Sequence, residues 1–248
     1  MADVADRPAF YALRPGGWRD LVTVLHPPYT LWHLSYVALG AAVAPVLHPA
    51  RLWAALGAFL LAVGIAAHAL DELNGHPLRT RIPDRVLVGL AAGGLCGAVA
   101  IGVVGLFAVS WSLAPFVAVG AFLVLAYNLE LFGGRFHTDF WFAAGWGAFP
   151  ALTSFWANAL GIHSLAEAVA GLGVTIACFG LSVAQRQLST PARELRRRTL
   201  DVSGTQRLAD GSTRELTALT IAAPLDGALK ALATSLVLLA AAAVAIRL

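Results

Sequence analysis

The residues best suited to chemistry lie close together in residues 67–76, where a long apolar run ends. His68, Asp71, Glu72 and Gly75 are three or four residues apart, which places them on one face of a helix. A histidine and two carboxylates on one face can bind Mg²⁺ or exchange a proton. His68 and Asp71 are therefore candidate catalytic groups, and Asp71 and Glu72 are candidate metal ligands. The alternative is a helix end whose polar groups are merely solvated.

A second group of polar residues lies in residues 185–198, which contain five arginines, Gln185 and Glu194. The planar guanidinium of arginine matches phosphate oxygens bidentately. Arg186 and Arg193, nearest the apolar run, are the candidate phosphate ligands, with Gln185 beside them. The run Arg196 to Arg198 is explained equally well by the preference of cytoplasmic loops for positive charge.

Further candidate residues lie in two other segments of the chain and at the end of residues 67–76. Tyr127 ends an apolar run and is a candidate catalytic residue, and Asn74 follows the acidic pair as a candidate substrate-binding group. Trp146 is a candidate contact for substrate, and Gly147 and Pro150 after it predict a helix kink or a close helix crossing. His33, inside an apolar run, is predicted to be a hydrogen-bonded packing residue.

The composition is that of a membrane protein. Hydrophobic residues make up 58% of the 248 and charged residues only 12%, and the mean hydropathy is +0.74. A soluble protein of this size carries about twice that charged fraction. The basic residues are confined to short stretches between apolar runs, whereas a nucleic-acid-binding protein presents a continuous basic face. The two cysteines, Cys96 and Cys178, lie in apolar runs and predict neither a disulfide nor a metal site.

The apolar runs predict an all-α, polytopic transmembrane bundle of about seven spans, each of about 20 residues. The spans are predicted at 28–47, 52–74, 86–109, 111–131, 139–160, 164–185 and 222–246. They form a single domain, 28–248, after an N-terminal segment, 1–27. The region 186–216 is predicted to be an Arg-rich loop containing a short amphipathic helix and turns. In the last span, Asp226 and Lys230 are predicted to pair.

The arginines predict the orientation of the chain. They concentrate before span 1 and after spans 2, 4 and 6, whereas the loops after spans 1, 3 and 5 contain only Arg51. Because positive residues favour the cytoplasmic side, the N-terminus is predicted to be cytoplasmic and the C-terminus outside, in a bacterial-type plasma membrane.

The order of these motifs resembles the UbiA superfamily of intramembrane prenyltransferases, over about Leu25 to Thr199. The motifs are His-Pro-Pro-Tyr-Thr at 26–30, Leu-Gly-Ala-Ala at 39–42, the acidic stretch ending in Gly75, Tyr127, Trp-Gly-x-x-Pro at 146–150 and Arg-Thr-Leu at 198–200. Two features differ from the family. His68 stands in place of one carboxylate of the first motif, and Gln185, Leu188 and Ala192 stand where a second Asp-rich motif is expected. Typical members also have nine spans.

The resemblance implies a prenyl-diphosphate-using enzyme that either transfers the prenyl group to an acceptor or cyclises it within the membrane. It implies Mg²⁺ at Asp71 and Glu72, the diphosphate at Arg186 and Arg193, and the bilayer and an isoprenoid lipid as partners. Two alternatives remain open. The first is a non-catalytic isoprenoid- or lipid-binding protein that keeps the fold, and the second is a proton-coupled transporter. No nucleic-acid partner is expected.

Overall fold

The computed structural model describes residues 7–248, and the protein is mostly helical. The helices are α1 (Trp18–Val24), α2 (Pro27–Ala42), α3 (Pro49–Leu73), α4 (Asp84–Ala108), α5 (Trp111–Asn128), α6 (139–159), α7 (Leu165–Arg197) and α8 (Ala218–Ala245). A short helical turn, Leu131–Gly134, lies between α5 and α6, and a hairpin of β1 (Gly204–Arg207) and β2 (Thr213–Leu216) lies between α7 and α8.

Within the described residues, five helices are long and apolar enough to cross a membrane: α3, α4, α5, α7 and α8. These helices lie where five of the spans are predicted. Helix α2, at the first predicted span, is 16 residues long, and α6 occupies the fifth predicted span. The all-α, membrane-type bundle is therefore confirmed at the level of these five helices.

Two helices contain π-helical segments, and both segments lie beside the cavity described below. In α3 the segment is Leu60–Ala67, directly before His68. In α6 it is Ala143–Ala148, which contains Trp146. π-Helical turns inside α-helices are frequent at functional sites because they shift the direction of the side chains that follow.

The core is built around α2, which packs against α6 and α8. Trp32 and Tyr36 of α2 are fully buried against Ala151 of α6, Cys178 of α7 and Leu229 of α8. The predicted close helix crossing at Gly147 is present, because its backbone lies against Cys178 and Ser182 of α7. A Cβ at Gly147 would lie only 2.6 Å from the Cys178 carbonyl oxygen.

The end of the bundle where α2 ends and α3 begins is held by polar contacts between connecting segments and neighbouring helices. The His48 amide donates to Asn158 Oδ1 (2.8 Å), and Trp156 Nε1 donates to Ser112 Oγ (3.0 Å). Arg247 donates to the carbonyl of Ala44 (3.0 Å). The α2–α3 connection, the start of α5 and the C-terminal ends of α6 and α8 thus meet at this end.

The structure corrects two expectations for the segment after span 6. Helix α7 continues to Arg197 and includes Pro191, so residues 186–197 extend the span and do not form a separate amphipathic helix. An antiparallel hairpin follows, with Gly204 opposite Leu216. Its turn contains Gly211 at φ 86°, a conformation that glycine adopts without strain, and Asp210 Oδ1 accepts from the Ser212 amide (2.9 Å).

The predicted pair of Asp226 and Lys230 is wrong. Asp226 forms a salt bridge with Arg196, and both side chains are buried. The Lys230 ammonium instead lies 5.3 Å above the Phe10 ring. The reason is the length of α7, which carries Arg196 alongside α8.

Candidate functional site

A polar cavity of about 100 Å³ lies at the end of the bundle where α2 begins and α3, α5 and α7 end. Its polar lining comes from α2, α3, α5, α7 and adjoining segments: Tyr11, His26, Tyr29, His33, His68, Asp71, Tyr127, Asn128, His137, Gln185, Arg186, Ser189, Arg193 and Arg197. We call this space the polar cavity. It gathers ionisable groups from stretches that are far apart in the sequence.

The structure brings together seven of the predicted site residues in this cavity: His68, Asp71, Tyr127, Trp146, Gln185, Arg186 and Arg193. It leaves out Asn74 and Glu72. The exposed Asn74 side chain donates to Glu130 Oε1 (3.3 Å), away from the cavity. The roles assigned to the seven stay predictions, but their meeting in one space is what those roles require.

Glu72 closes a loop and does not face Asp71. It is fully buried, and its Oε2 accepts from the Leu78 amide (3.0 Å). Its Oε1 accepts from the amide (3.0 Å) and the hydroxyl (2.7 Å) of Thr80. Consecutive helical residues point about 100° apart, and here Asp71 lines the cavity whereas Glu72 points to the loop. Gly75, at φ 83°, turns the chain back so that these donors reach Glu72.

The donor set of the cavity does not fit Mg²⁺ held by the protein. Within the described part of the chain, no cluster of three or more histidine, cysteine, aspartate or glutamate residues has metal-binding geometry. The lining contains a single carboxylate, Asp71, and three guanidiniums. Mg²⁺ takes an octahedral shell of oxygen ligands, usually with one or two carboxylates. Without Glu72, the predicted metal site retains one of its two ligands.

A row of guanidiniums from α7 supplies the positive charge of the cavity. Arg186, Ser189, Arg193 and Arg197 are three or four residues apart and so share one helix face. Arg186 donates to Asp139 Oδ1 (2.7 Å) and lies 5.0 Å above the Phe142 ring. Such a row can bind an anion that has several oxygens.

Arg193 and Arg197 are held mainly by neutral partners. Arg193 Nε donates to the Ser189 carbonyl (3.3 Å) and its Nη2 to Thr190 Oγ1 (3.4 Å). Arg197 Nε donates to the Pro8 carbonyl (3.1 Å). Neutral acceptors position a guanidinium without cancelling its charge, so both side chains keep their attraction for an anionic ligand.

Three histidines of the cavity use one ring nitrogen to bind the backbone. Nδ1 of His33 lies 2.8 Å from the Trp146 carbonyl oxygen, and Nδ1 of His68 lies 3.2 Å from that of Gly64. Nδ1 of His137, at the exposed mouth, lies 3.0 Å from that of Tyr127. A carbonyl oxygen only accepts, so Nδ1 carries the proton in each ring. The predicted hydrogen bonding of His33 is present, and this residue also lines the cavity.

His26 was not among the predicted site residues, yet it stacks on His68, a predicted catalytic residue. Its ring lies 4.0 Å from that of His68, nearly parallel to it. His26 precedes α2 in a left-handed conformation, φ 46°. Burial, with a smaller contribution from His68, lowers the pKa of His26 well below its usual value, so the ring is neutral. The signal in the sequence was the His-Pro-Pro-Tyr motif, whose Tyr29 also lines the cavity.

The segment before α1 covers part of the polar cavity. Tyr11 lies edge-on to Tyr29, with ring centroids 5.4 Å apart, and 5.2 Å from His26. Burial raises the pKa of Tyr11 well above its usual value, so its hydroxyl remains protonated. The Leu13 amide donates to Thr23 Oγ1 (3.0 Å), which fixes the segment to α1. No sequence pattern pointed to Tyr11.

A second, apolar cavity of about 150 Å³ adjoins the polar one. It lies between α3, α4, α5 and α6 and is lined almost entirely by alanine, glycine, valine, leucine and phenylalanine. Val63 and Trp146 line both cavities. The Trp146 ring lies 5.5 Å from that of Tyr127, edge to face. The two cavities thus meet at an aromatic junction.

No protein-family model, curated protein or solved structure matches this chain. The function is therefore argued from the two cavities and their charges.

Proposed function

We propose that this protein is a divergent UbiA-like membrane enzyme that uses a prenyl diphosphate. The observation that carries the proposal is the junction of the two cavities at Val63 and Trp146. A ligand spanning it needs a polyanionic head for the guanidiniums and an apolar tail for the alanine- and glycine-rich side. A prenyl diphosphate has both parts.

The charges favour a diphosphate head held by arginine. The lining carries three guanidiniums, and Asp71 is its one carboxylate. Charge-assisted contacts from fixed donors can stabilise the negative charge that develops on a leaving diphosphate. In this proposal Arg186 and Arg193 bind the diphosphate and Arg197 adds a third contact. Asp71 orients the head through water.

The reaction begins when the bond between C1 of the prenyl group and the diphosphate oxygen breaks, with both electrons leaving on oxygen. The rings of Tyr127 and Trp146, which meet edge to face beside the junction, stabilise the allylic cation through their π electrons. A new bond then forms from C1 to an acceptor or within the prenyl chain. His68 takes up the proton released in that step.

We infer a seven-span arrangement in which α2 and α6 also cross the bilayer. The polar cavity then opens on the side that carries residues 186–216 and 14 of the 16 arginines, and this side is cytoplasmic by the rule for positive charge. Helix α2 buries Thr30, His33 and Ser35, and helix α6 buries Ser154 and Asn158, so both helices carry polar residues inside the bundle.

A non-catalytic isoprenoid-binding protein is the second candidate. The observation in its favour is that Glu72 forms hydrogen bonds with the loop after α3, so among the described residues Asp71 is the only carboxylate that lines the cavity. Against it stands the number of polar groups that line the same cavity, because a lipid tail alone requires none of them.

The experiment compares the affinity of the protein for farnesyl diphosphate and for farnesol in nanodiscs. Arg193→Gln should weaken diphosphate binding about thirtyfold, because a charge-assisted contact to a partly desolvated phosphate contributes about 2 kcal/mol. Arg193→Lys should recover only part of the loss, since lysine keeps the charge without the bidentate fork. Farnesol binding should be unchanged in both variants.

Arg207→Gln, in the exposed β1 strand, is the matched control and should leave both affinities as in the wild type. If the wild type binds farnesol and farnesyl diphosphate equally well, the arginines serve orientation only. The proposed function would then be abandoned.

A further inference from the structure

The polar cavity contains hydrogen-bond acceptors that a diphosphate cannot use. At neutral pH the diphosphate head presents oxygen acceptors and almost no donors, so it requires donors from the protein. The guanidiniums of α7 supply these donors. The opposite wall, made by α2 and α3, presents the rings of His33 and His68.

The two rings of this wall are fixed as acceptors. Because Nδ1 of His33 donates to Trp146 O and Nδ1 of His68 donates to Gly64 O, each neutral ring has its lone pair at Nε2. His68 is also held by the stacked ring of His26 at 4.0 Å, and His33 lies between the rings of Tyr36 (6.0 Å) and Phe142 (5.9 Å). The lone pairs are therefore held in place by packing.

Gln185 supplies an independent observation. Its side chain lines the cavity from α7 and is only 2% exposed, yet its Oε1 is buried without a hydrogen-bond partner. A buried amide oxygen left without a donor destabilises the folded protein, because it has lost its hydrogen bonds to water. Such a group is explained if a ligand supplies the missing donor.

We infer that the polar cavity contains a second subsite, formed by His33, His68 and Gln185, that binds a hydroxyl group of a co-substrate. This inference rests on the proposed function, in which the arginines already hold the diphosphate. A hydroxyl is the donor that suits the charges, because three nearby guanidiniums repel an ammonium group. A cyclised prenyl hydrocarbon has no O–H to offer, so the subsite favours transfer to an external acceptor over cyclisation.

The test uses resorcinol and its dimethyl ether, which have the same ring but differ in O–H donors. Affinities are measured by calorimetry in nanodiscs saturated with farnesyl thiolodiphosphate, an unreactive analogue. The wild type should bind resorcinol at least about tenfold more tightly than the ether, since the ether leaves buried acceptors without donors. His33→Phe and Gln185→Leu should each reduce this ratio to about threefold or less.

His163→Phe is the matched control, because His163 is exposed between α6 and α7 and does not line the polar cavity. It should keep the wild-type ratio. A wild-type ratio near one, or a ratio unchanged in both cavity variants, would overturn the subsite. If His33→Phe does not fold, Gln185→Leu alone decides.

The affinity for the analogue itself separates the two claims. If the analogue binds and the hydroxyl ratio is near one, the subsite is wrong while the proposed function stands. If the hydroxyl ratio is kept but the analogue does not bind, the subsite stands and the diphosphate assignment fails.

Discussion

At the scale of single residues, two adjacent carboxylates have separate tasks. Asp71 faces the polar cavity, whereas Glu72 is fully buried against the loop that follows α3. The spacing of Asp71 and Glu72 relative to His68 predicts that both carboxylates lie on one helix face. The sequence alone does not show which of the two borders a cavity. The donors that capture Glu72, at Leu78 and Thr80, reach it only through the left-handed turn at Gly75 and His76.

Because the two carboxylates have different roles, substitution of Glu72 should affect stability, whereas substitution of Asp71 should affect ligand binding. Glu72→Gln should lower the free energy of unfolding by about 2 kcal/mol, because the amide NH₂ would face an N–H or O–H donor where the carboxylate now accepts. Asp71→Asn should change stability by about 0.5 kcal/mol or less, as surface-like substitutions do, while weakening farnesyl diphosphate binding.

Unfolding in mixed detergent micelles and ligand titration of the same preparations check both effects. Wild-type stability in Glu72→Gln together with lost diphosphate binding would restore Glu72 to the binding site, contrary to its geometry.

Several of the cavity residues could be found from the sequence because they interrupt or end apolar runs. His68, Asp71, Tyr127, Arg186 and Arg193 were found in this way, since polar groups in spanning helices are costly. The same reasoning missed Tyr11 and His26, which lie in segments outside the apolar runs. Their place in the cavity depends on tertiary packing, with the Tyr11 and His26 rings 5.2 Å apart.

At the scale of secondary-structure elements, close contact between α6 and α7 holds together two of the helices that contribute residues to the polar cavity. The motif at 146–150 predicted a kink or a close crossing, and the structure has a π-helical segment there together with a close approach to α7. The sixth span is predicted to end at residue 185, whereas α7 ends at Arg197. Pro191 reads as a stop signal, yet the helix continues because Ser189 and Ala192 are buried against their neighbours.

The close approach makes Gly147 sensitive to even a methyl group. A Cβ there would lie 2.5 Å from Ser182 Oγ and 2.6 Å from the Cys178 carbonyl oxygen. Gly147→Ala should therefore lower the free energy of unfolding by about 1–3 kcal/mol through overpacking. Thermal unfolding monitored by circular dichroism in nanodiscs measures the difference.

Gly180→Ala on α7 is the matched control, since a Cβ there meets nothing within 4 Å. It should leave stability unchanged or raise it, because alanine has the higher helix propensity. Equal effects of the two substitutions would show that α6 and α7 are not in close contact.

At the scale of the whole molecule, composition alone predicted a membrane bundle. The five long apolar helices agree with it, because hydropathy averaged over a helix hardly depends on tertiary detail. The number of crossings is harder to predict, since α2 is short and carries polar residues that line the cavity, such as His33. Helix α2 lines the cavity together with α3, α5 and α7, which are three of the five long apolar helices.

The hairpin of β1 and β2 is an element that the sequence pattern does not predict. Residues 204–216 are mostly exposed, so no burial pattern marks them as strands. Their pairing depends on the turn around Gly211, a residue that lies in the predicted Arg-rich loop. Exposed strands of four residues lie below what hydrophobic periodicity can detect.

The central claim is that the joined cavities hold and ionise a prenyl diphosphate, and release of diphosphate measures this most directly. The purified protein in nanodiscs, with Mg²⁺ and a hydroxylated acceptor present, is mixed with farnesyl or geranylgeranyl diphosphate. Inorganic diphosphate should accumulate over many turnovers, and Arg193→Gln should lower kcat/KM by about tenfold or more. Arg207→Gln should match the wild type. Tight binding of the diphosphate with no release above that of protein-free nanodiscs would contradict the claim and identify a lipid-binding protein.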